Sequence, residues 1–390
     1  MSLLKDRIKQ LSENYFARVV ELRRDLHANP ELSWQEKRTA GVVTEELKRC
    51  GLEVTNNVAQ TGVVALLKGK NPSAKCIALR ADMDALPITE ENSAPYKSCK
   101  AGVMHACGHD VHTANLLGVA MILSELKEEI EGTIKFIFQP SEEKTPSGAA
   151  AMIEAGVLNQ PAVSKILGLH VSPELEAGTF GFHEGRFMAS SDEIYITVVG
   201  KGGHAAQREK LINPLIAASH LLIQLDMLNV EGNDFVLSFG KITGPGATNI
   251  VPDKVEIAGT LRCFDEAFRG VMQKRIAEIC ESAAVTHKVK CELNIVVGSP
   301  VVLNNEALTK QAAQLAASYI GADKILTIPK RMGSEDFGYY THQVPSCFYR
   351  LGVGNKVKGI TSGLHTPTFD IDESALKDSI GLMSWIALNA

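Results

Sequence analysis

The stretch Ile134-Lys135-Phe136-Ile137-Phe138-Gln139-Pro140-Ser141-Glu142-Glu143 decides how the rest of the chain is to be read. Its first five residues follow Gly132, are rich in β-branched and aromatic side chains, and read as a short buried strand that Gln-Pro ends. A helix is expected before it, capped by Asp110 and running to about Glu129; another follows from about Gly148 to Ala155. The next apolar run, Lys165–Leu169, reads as a strand that His170 closes. Toward the N-terminus lie two more strand-like runs, Gly62–Leu67 and Cys76–Arg80. Before them, Leu4, Ile8, Leu11, Tyr15, Val19, Leu22 and Leu26 fall at the three-or-four spacing of an amphipathic helix. Pro30 stops that helix. Ser33 and Glu36 then have the spacing of a capping box for a second helix to Cys50, with Gly51 just past its end. Helices alternating with short apolar strands predict an α/β sheet covered on both faces. The polar candidates repeatedly follow strands, at the edge where such sheets place their sites.

From Asp192 the pattern changes. A strand (Ile194–Val199), a helix (Pro214–Val230), two strands (234–242 and 254–264), a helix (266–285) and a strand (289–297) give the order β-α-β-β-α-β of a ferredoxin-like unit. The alternating style resumes with a helix near Ala307–Ile320, a strand near Cys347–Leu351 and a last helix from about Glu373. The expected architecture is a discontinuous catalytic α/β domain (1–187 and 299–390) with a mixed, mainly parallel sheet covered by helices. A ferredoxin-like domain (188–298) is inserted in it.

The totals agree with a globular protein. The chain has 390 residues, 45% hydrophobic and 22% charged, with 40 Lys+Arg against 45 Asp+Glu and a net charge of −5. That balance argues against a nucleic-acid groove or an anionic membrane as partner. No apolar run is long enough for a membrane span, and the charged, amphipathic N-terminus lacks a secretory signal's apolar core, so a cytoplasmic location is expected. Eight scattered cysteines without such a signal do not read as a disulfide framework.

Chemistry concentrates in Met104-His105-Ala106-Cys107-Gly108-His109-Asp110-Val111-His112. Cys107 and His109 flank a glycine and can face one region, where a thiolate and an imidazole suit Zn²⁺ and related ions. The competing readings are a structural cysteine beside satisfied histidines, or a nucleophile activated by His109 or His105. Glu142-Glu143 would ordinarily be a solvated surface pair. At a strand end, however, one can bind metal while the other takes a proton. His170 and His365, each more often a satisfied histidine when alone, complete five donors with Cys107, His109 and Glu143. That is the scale of two metals sharing a water. Asp82 and Asp84 can hold a ligand histidine's second N–H, or merely cap a turn. In the inserted domain, His204 follows a Gly-Gly pair, and Asn249 and Arg262 are the other polar candidates, Arg262 as a carboxylate clamp. Each also reads as an ordinary loop or strand-end residue.

Ordered motifs then run nearly end to end: Leu26-His27 with Pro30-Glu31-Leu32, RADMDALPI (80–88), MHACGHDVH (104–112), QPSEE (139–143), GLH (168–170), MASSD (188–192), GKGGHAA (200–206), TNIVPD (248–253), GTLR (259–262), GSEDF (333–337) and LHTPTFD (364–370). On these residues the chain resembles the aminoacylase/carboxypeptidase superfamily of dinuclear metallopeptidases, in its amidohydrolase branch of hippurate hydrolases, N-acyl-amino-acid amidohydrolases and auxin-conjugate hydrolases. The resemblance implies two divalent ions per subunit, Zn²⁺ or Mn²⁺ with Co²⁺ or Ni²⁺ as alternatives, held by Cys107, His109, Glu143, His170 and His365. It makes Glu142 the general base for a water between the ions and His204 a group that steadies the oxyanion. Asn249 and Arg262 would hold the substrate's amide and carboxylate. It also makes the inserted domain a lid and the interface of a homodimer or higher oligomer. Where the wider superfamily has a ligand histidine, this chain has Asp82, placed with Asp84 in support of the ligands. Lys144-Thr145-Pro146-Ser147 after QPSEE and Gln207-Arg208 after GGHAA depart from the family pattern. The implied activity is hydrolysis of N-acyl-amino acids at a linear amide C–N bond. The alternatives are a cysteine hydrolase using Cys107, a metallo-dipeptidase or carboxypeptidase of the same fold, and a non-catalytic homologue that binds acyl-amino acids.

Overall fold

The computed structural model describes residues 2–229 and 234–390, which form two compact units. The first comprises residues up to Gly185 together with Leu303–Pro329 and Tyr339–Ala390. Its eight-stranded sheet runs, edge to edge, Glu53–Val58, Gly62–Lys68, Thr133–Gln139, Cys76–Asp82, Lys165–Glu176, Ser346–Gly354, Phe180–Phe182 and Ile325–Thr327. The central four of these strands pair in parallel. The sheet is mixed because its flanking strands on either side join antiparallel. Parallel strands need cover on both faces, and every residue of Cys76–Asp82, Thr133–Gln139 and Ser346–Gly354 is buried. Lys135 is tolerated in the second of these because its ammonium donates to the carbonyls of Val157 (2.6 Å) and Pro161 (2.9 Å).

The His109–Glu125 helix is buried over the whole of His109–Leu123, with its polar residues gathered in the first two turns beside the site and an apolar remainder in the core. It lies against the Ser2–Ala28 and Ala375–Asn389 helices. Gly118 allows this approach: a Cβ there would stand 2.7 Å from both Val19 Cγ2 and Ile380 Cγ2. Gly118→Val is therefore expected to overpack the junction and cost ~1–3 kcal/mol, read as a lower midpoint in chemical denaturation.

Several element ends differ from the sequence expectation, for physical reasons. The second helix begins at Lys37, and neither Ser33 nor Glu36 forms a capping box; both side chains turn to inner partners described below. Asp110 does not cap the helix that starts at His109; its Oδ2 is instead held by Arg23 and His27. That helix stops at Glu125 and a short 3₁₀ turn, Lys127–Glu129, follows. His170 sits inside the strand Lys165–Glu176 rather than at its end.

The second unit comprises Arg186–Val302 and Lys330–Gly338. Four antiparallel strands lie in the order Phe235–Thr243, Lys254–Cys263, Asp192–Val199, Lys290–Val297. Burial alternates along Asp192–Val199, so one face is covered, by the helices Pro214–Asp226 and Glu266–His287. Val230, expected as the end of the first of these helices, lies outside the described residues. Lys330–Gly338 joins this unit because Ala189 N–H reaches the Arg331 and Gly333 carbonyls and Arg262 donates to Ser334 Oγ (2.5 Å).

Candidate metal centre

Four separate segments of the first unit converge: the Cys107–His109 turn, Glu142–Glu143, the strand of His170 and the loop of His365. Gly108, between Cys107 and His109, has φ +81° and N-caps the central helix. A Cβ there would lie 2.5 Å from Val171 Cγ2, so the turn presses on the strand that carries His170. As a result Cys107 Sγ stands 3.3 Å from His170 Nε2. The loop bearing His365 docks by its N–H on Ala106 O (2.8 Å), with His365 itself at φ +60°, and this puts its Nε2 3.3 Å from the same sulfur. Glu143 Oε1 lies 3.3 Å from His365 Nε2 and 3.8 Å from His109 Nε2. Two donor groups therefore share Cys107: one with His109 and His170, the other with Glu143 and His365. Glu142 forms a further group with His109 and Glu143, all ligand atoms within 4.8 Å.

Buried carboxylates hold this arrangement. Asp84 Oδ1 accepts the backbone N–H of Glu142 (3.0 Å) and Oδ2 that of Glu143 (3.1 Å), while His109 Nδ1 lies 3.3 Å from Oδ1. Ser33 donates its hydroxyl to Asp84 Oδ2 at 2.6 Å. One aspartate thus sets both glutamates and orients a candidate ligand histidine. Glu36 adds a second grip, accepting Ser141 N–H (2.8 Å) and the Thr61 hydroxyl (2.7 Å). Ser141 is fully buried at φ +48°, a left-handed turn that a non-glycine residue adopts only when its neighbours impose it. Asp82 takes a different task. It bonds His112 Nδ1 at 2.6 Å and Arg80 at 2.5 Å, and His112 Nε2 accepts the N–H of Val171, next to His170. The group Asp82, His109 and His112 also has metal-binding spacing, but both ring nitrogens of His112 are already satisfied.

A cation fits the set that shares Cys107. His109 Nε2 is buried without a hydrogen-bond partner, a state that ordinarily costs about 1–3 kcal/mol, and it faces Glu143 Oε1 at 3.8 Å. Burial, with Glu143 and Glu142 beside it, pushes the Cys107 thiol well above its usual range. Burial alone would lower His109, yet the carboxylates of Asp82, Asp84 and Glu143 outweigh it and raise the imidazole to about 10. A proton on His109 answers these anions, and a divalent ion beside its Nε2 would supply that positive charge instead.

The profile of Peptidase family M20/M25/M40 matches residues 78–389. The chain belongs to this family. An N-acetylcysteine deacetylase of Bacillus subtilis is 36% identical over 93% of this chain and 94% of that protein. An IAA-amino acid hydrolase of Arabidopsis thaliana is 36% identical over 94% and 83%. The crystal structure of a dinuclear metal binding peptidase from M20 family of Bacillus subtilis superposes with a TM-score of 0.85 at 34% identity, covering 97% of this chain and 98% of that one. This M20 chain is accordingly a metal-dependent amidohydrolase or peptidase, a hydrolase of amide bonds. No helix among the described residues is long and apolar enough to cross a membrane.

The remaining candidates lie in the second unit. His204 pairs with Ile250 across a two-residue ladder, and Ala205 N–H reaches Asn249 O at 3.0 Å, so His204 and Asn249 are neighbours. Arg262 is on the Lys254–Cys263 strand, bonded to Ser334. Sequence reasoning assigned no site role to Glu36, Ser33 or Ser141. A glutamate with capping-box spacing looks local, and only a non-glycine left-handed turn marks Ser141.

Proposed function

We propose that this chain hydrolyses the amide bond of N-acyl-amino acids, releasing a carboxylic acid and a free amino acid. The observation that carries the reading is the placement of Glu142: its amide is fixed by Asp84 beside two donor groups that share Cys107. In this reading Cys107, His109 and His170 hold one divalent cation, and Cys107, Glu143 and His365 hold a second. Zn²⁺ or Mn²⁺ suits the mixed thiolate, imidazole and carboxylate set, with Co²⁺ or Ni²⁺ as alternatives. Cations bound there would supply Lewis acidity and make water more acidic. Glu142 accepts a proton from the attacking water and returns it to the nitrogen of the leaving amine. Asp84 keeps that carboxylate and the Glu143 ligand in fixed register. His204 steadies the carbonyl oxygen as charge develops, and Asn249 and Arg262 hold the substrate's amide and carboxylate.

The same reading has two copies pair through the second unit as a lid-bearing homodimer. Supporting it, Ile223, Met227 and Val285 are exposed apolar side chains there. The solved M20 neighbour is described as a peptidase, which favours dipeptides as the second substrate class. A hydrolysis screen of N-acetyl-, N-benzoyl- and indoleacetyl-amino acids against dipeptides decides between them. EDTA treatment is expected to abolish turnover, and added Mn²⁺ or Zn²⁺ to restore it, measured as amino acid released. Full activity in metal-free enzyme would instead point to the Cys107 thiol as nucleophile.

A further inference from the structure

Arg23, on the Ser2–Ala28 helix, has no solvent exposure, yet its guanidinium reaches three other parts of the chain. Nε donates to Asp110 Oδ2 at 2.8 Å, one terminal nitrogen to Asp370 Oδ1 at 3.0 Å and the other to Glu373 Oε1 at 3.3 Å. The guanidinium also lies over the Tyr96 ring, 4.8 Å from its centroid, and the Tyr96 hydroxyl donates to Asp370 Oδ2 at 3.0 Å. A fully buried guanidinium persists only where carboxylates meet its donors, so these partners are not interchangeable with water.

One of the partners adjoins a candidate ligand and another lies on the loop of a second. Asp110 follows His109 directly. Asp370 ends the segment that carries His365, and residues 361–372 there include no helix or strand. The side chain of His365 is 54% exposed, whereas His109 is buried completely. The His365 segment is therefore placed by its anchors: its own N–H on Ala106 O, Glu91 N–H on Pro367 O (2.8 Å), Asn92 on Phe369 O (2.8 Å), and Asp370 on Arg23 and Tyr96. Among these, the Arg23 guanidinium alone also holds the residue beside His109.

We propose that Arg23 is a positioning residue for the metal centre. By binding Asp110 and Asp370 at once it sets the separation between the His109 turn and the His365 loop. The cation of the Cys107, Glu143 and His365 group then depends on this clamp more than the cation of the Cys107, His109 and His170 group does. This rests on the two-cation reading above. Neither Arg23 nor Asp370 touches the reacting atoms; both act through the loop.

The test uses Co²⁺-loaded holoenzyme challenged with graded chelator. Bound cobalt per chain and the thiolate-to-cobalt absorption are followed together. In Asp370→Asn, which keeps the side-chain shape, one cobalt is expected to leave at a chelator concentration roughly ten- to a hundredfold lower than in wild type, as for other residues that orient ligands, while the second holds as in wild type. Excess Co²⁺ should restore kcat with KM unchanged. Tyr96→Phe, which removes a single hydrogen bond to Asp370, should shift the same cobalt in the same direction by less. It serves as the folding-safe variant. Lys68→Gln, which breaks the exposed Lys68–Glu53 pair, should leave both cobalts in place. Equal loosening of both ions, or no loosening of either, overturns the proposal. A wild-type enzyme that holds fewer than two cobalts overturns the two-cation reading instead.

Discussion

Glu142→Gln should lower kcat by about 10²–10⁴-fold, the usual contribution of a general acid–base group, while cation content and KM stay at the wild-type level. Glutamine keeps the shape of the side chain and leaves the backbone N–H on Asp84, so the loop is not disturbed. What it removes is the lone pair that takes a proton from water and the proton later delivered to nitrogen. Glu142 belongs to no donor group with Cys107; Glu143 fills that place in the His365 group. Steady-state kinetics beside metal analysis reads both quantities. A variant that keeps more than roughly a tenth of wild-type kcat, or that loses a cation, would remove Glu142 from the role of base. Glu143→Gln gives the contrast, because loss of a ligand should reduce the bound cations first.

Asp84→Asn is the second large effect. The two carboxylate oxygens accept the N–H groups of both Glu142 and Glu143, so an amide nitrogen in either place sets a donor against a donor. The remaining oxygen cannot serve both glutamates, and His109 Nδ1 loses its anionic partner. Each hydrogen bond to a buried charge is worth about 1.5–3 kcal/mol, so a loss of at least that size is expected in denaturant titration. Cation affinity should fall by roughly ten- to a hundredfold, the usual effect when a ligand's orienting partner is removed. A variant with wild-type midpoint and wild-type cation affinity would show that Asp84 merely fills a turn. Asp82→Asn should act differently, through His112 and the Val171 N–H, and so on the His170 side of the centre.

These expectations show what was readable in advance and what was not. Strand and helix order followed from periodicity, since apolar spacing reports which face is buried. Cys107, His109, Glu143, His170 and His365 were candidate donors by residue type, and the structure brings them within reach of one another. Element ends did not follow. Glu36 and Asp110 look like caps because a short acidic side chain near a helix start usually satisfies local N–H groups. Here each has distant partners, Ser141 and Thr61 for one, Arg23 and His27 for the other. Buried in a core, a carboxylate is stabilised most by donors that cannot turn to water, wherever in the chain they lie.

By itself, then, the sequence determined the alternation of helix and strand, the family and which side chains could act as donors. These depend on local spacing and on side-chain chemistry, which are written residue by residue. Only the tertiary structure decided that Asp84 serves both glutamates and that Asp82 serves His112. It alone joined Arg23 to the loop of His365 across 347 positions of chain. The physical reason is that a buried polar group must find its partner among whatever segments packing brings beside it, and spacing along the chain does not record which those are.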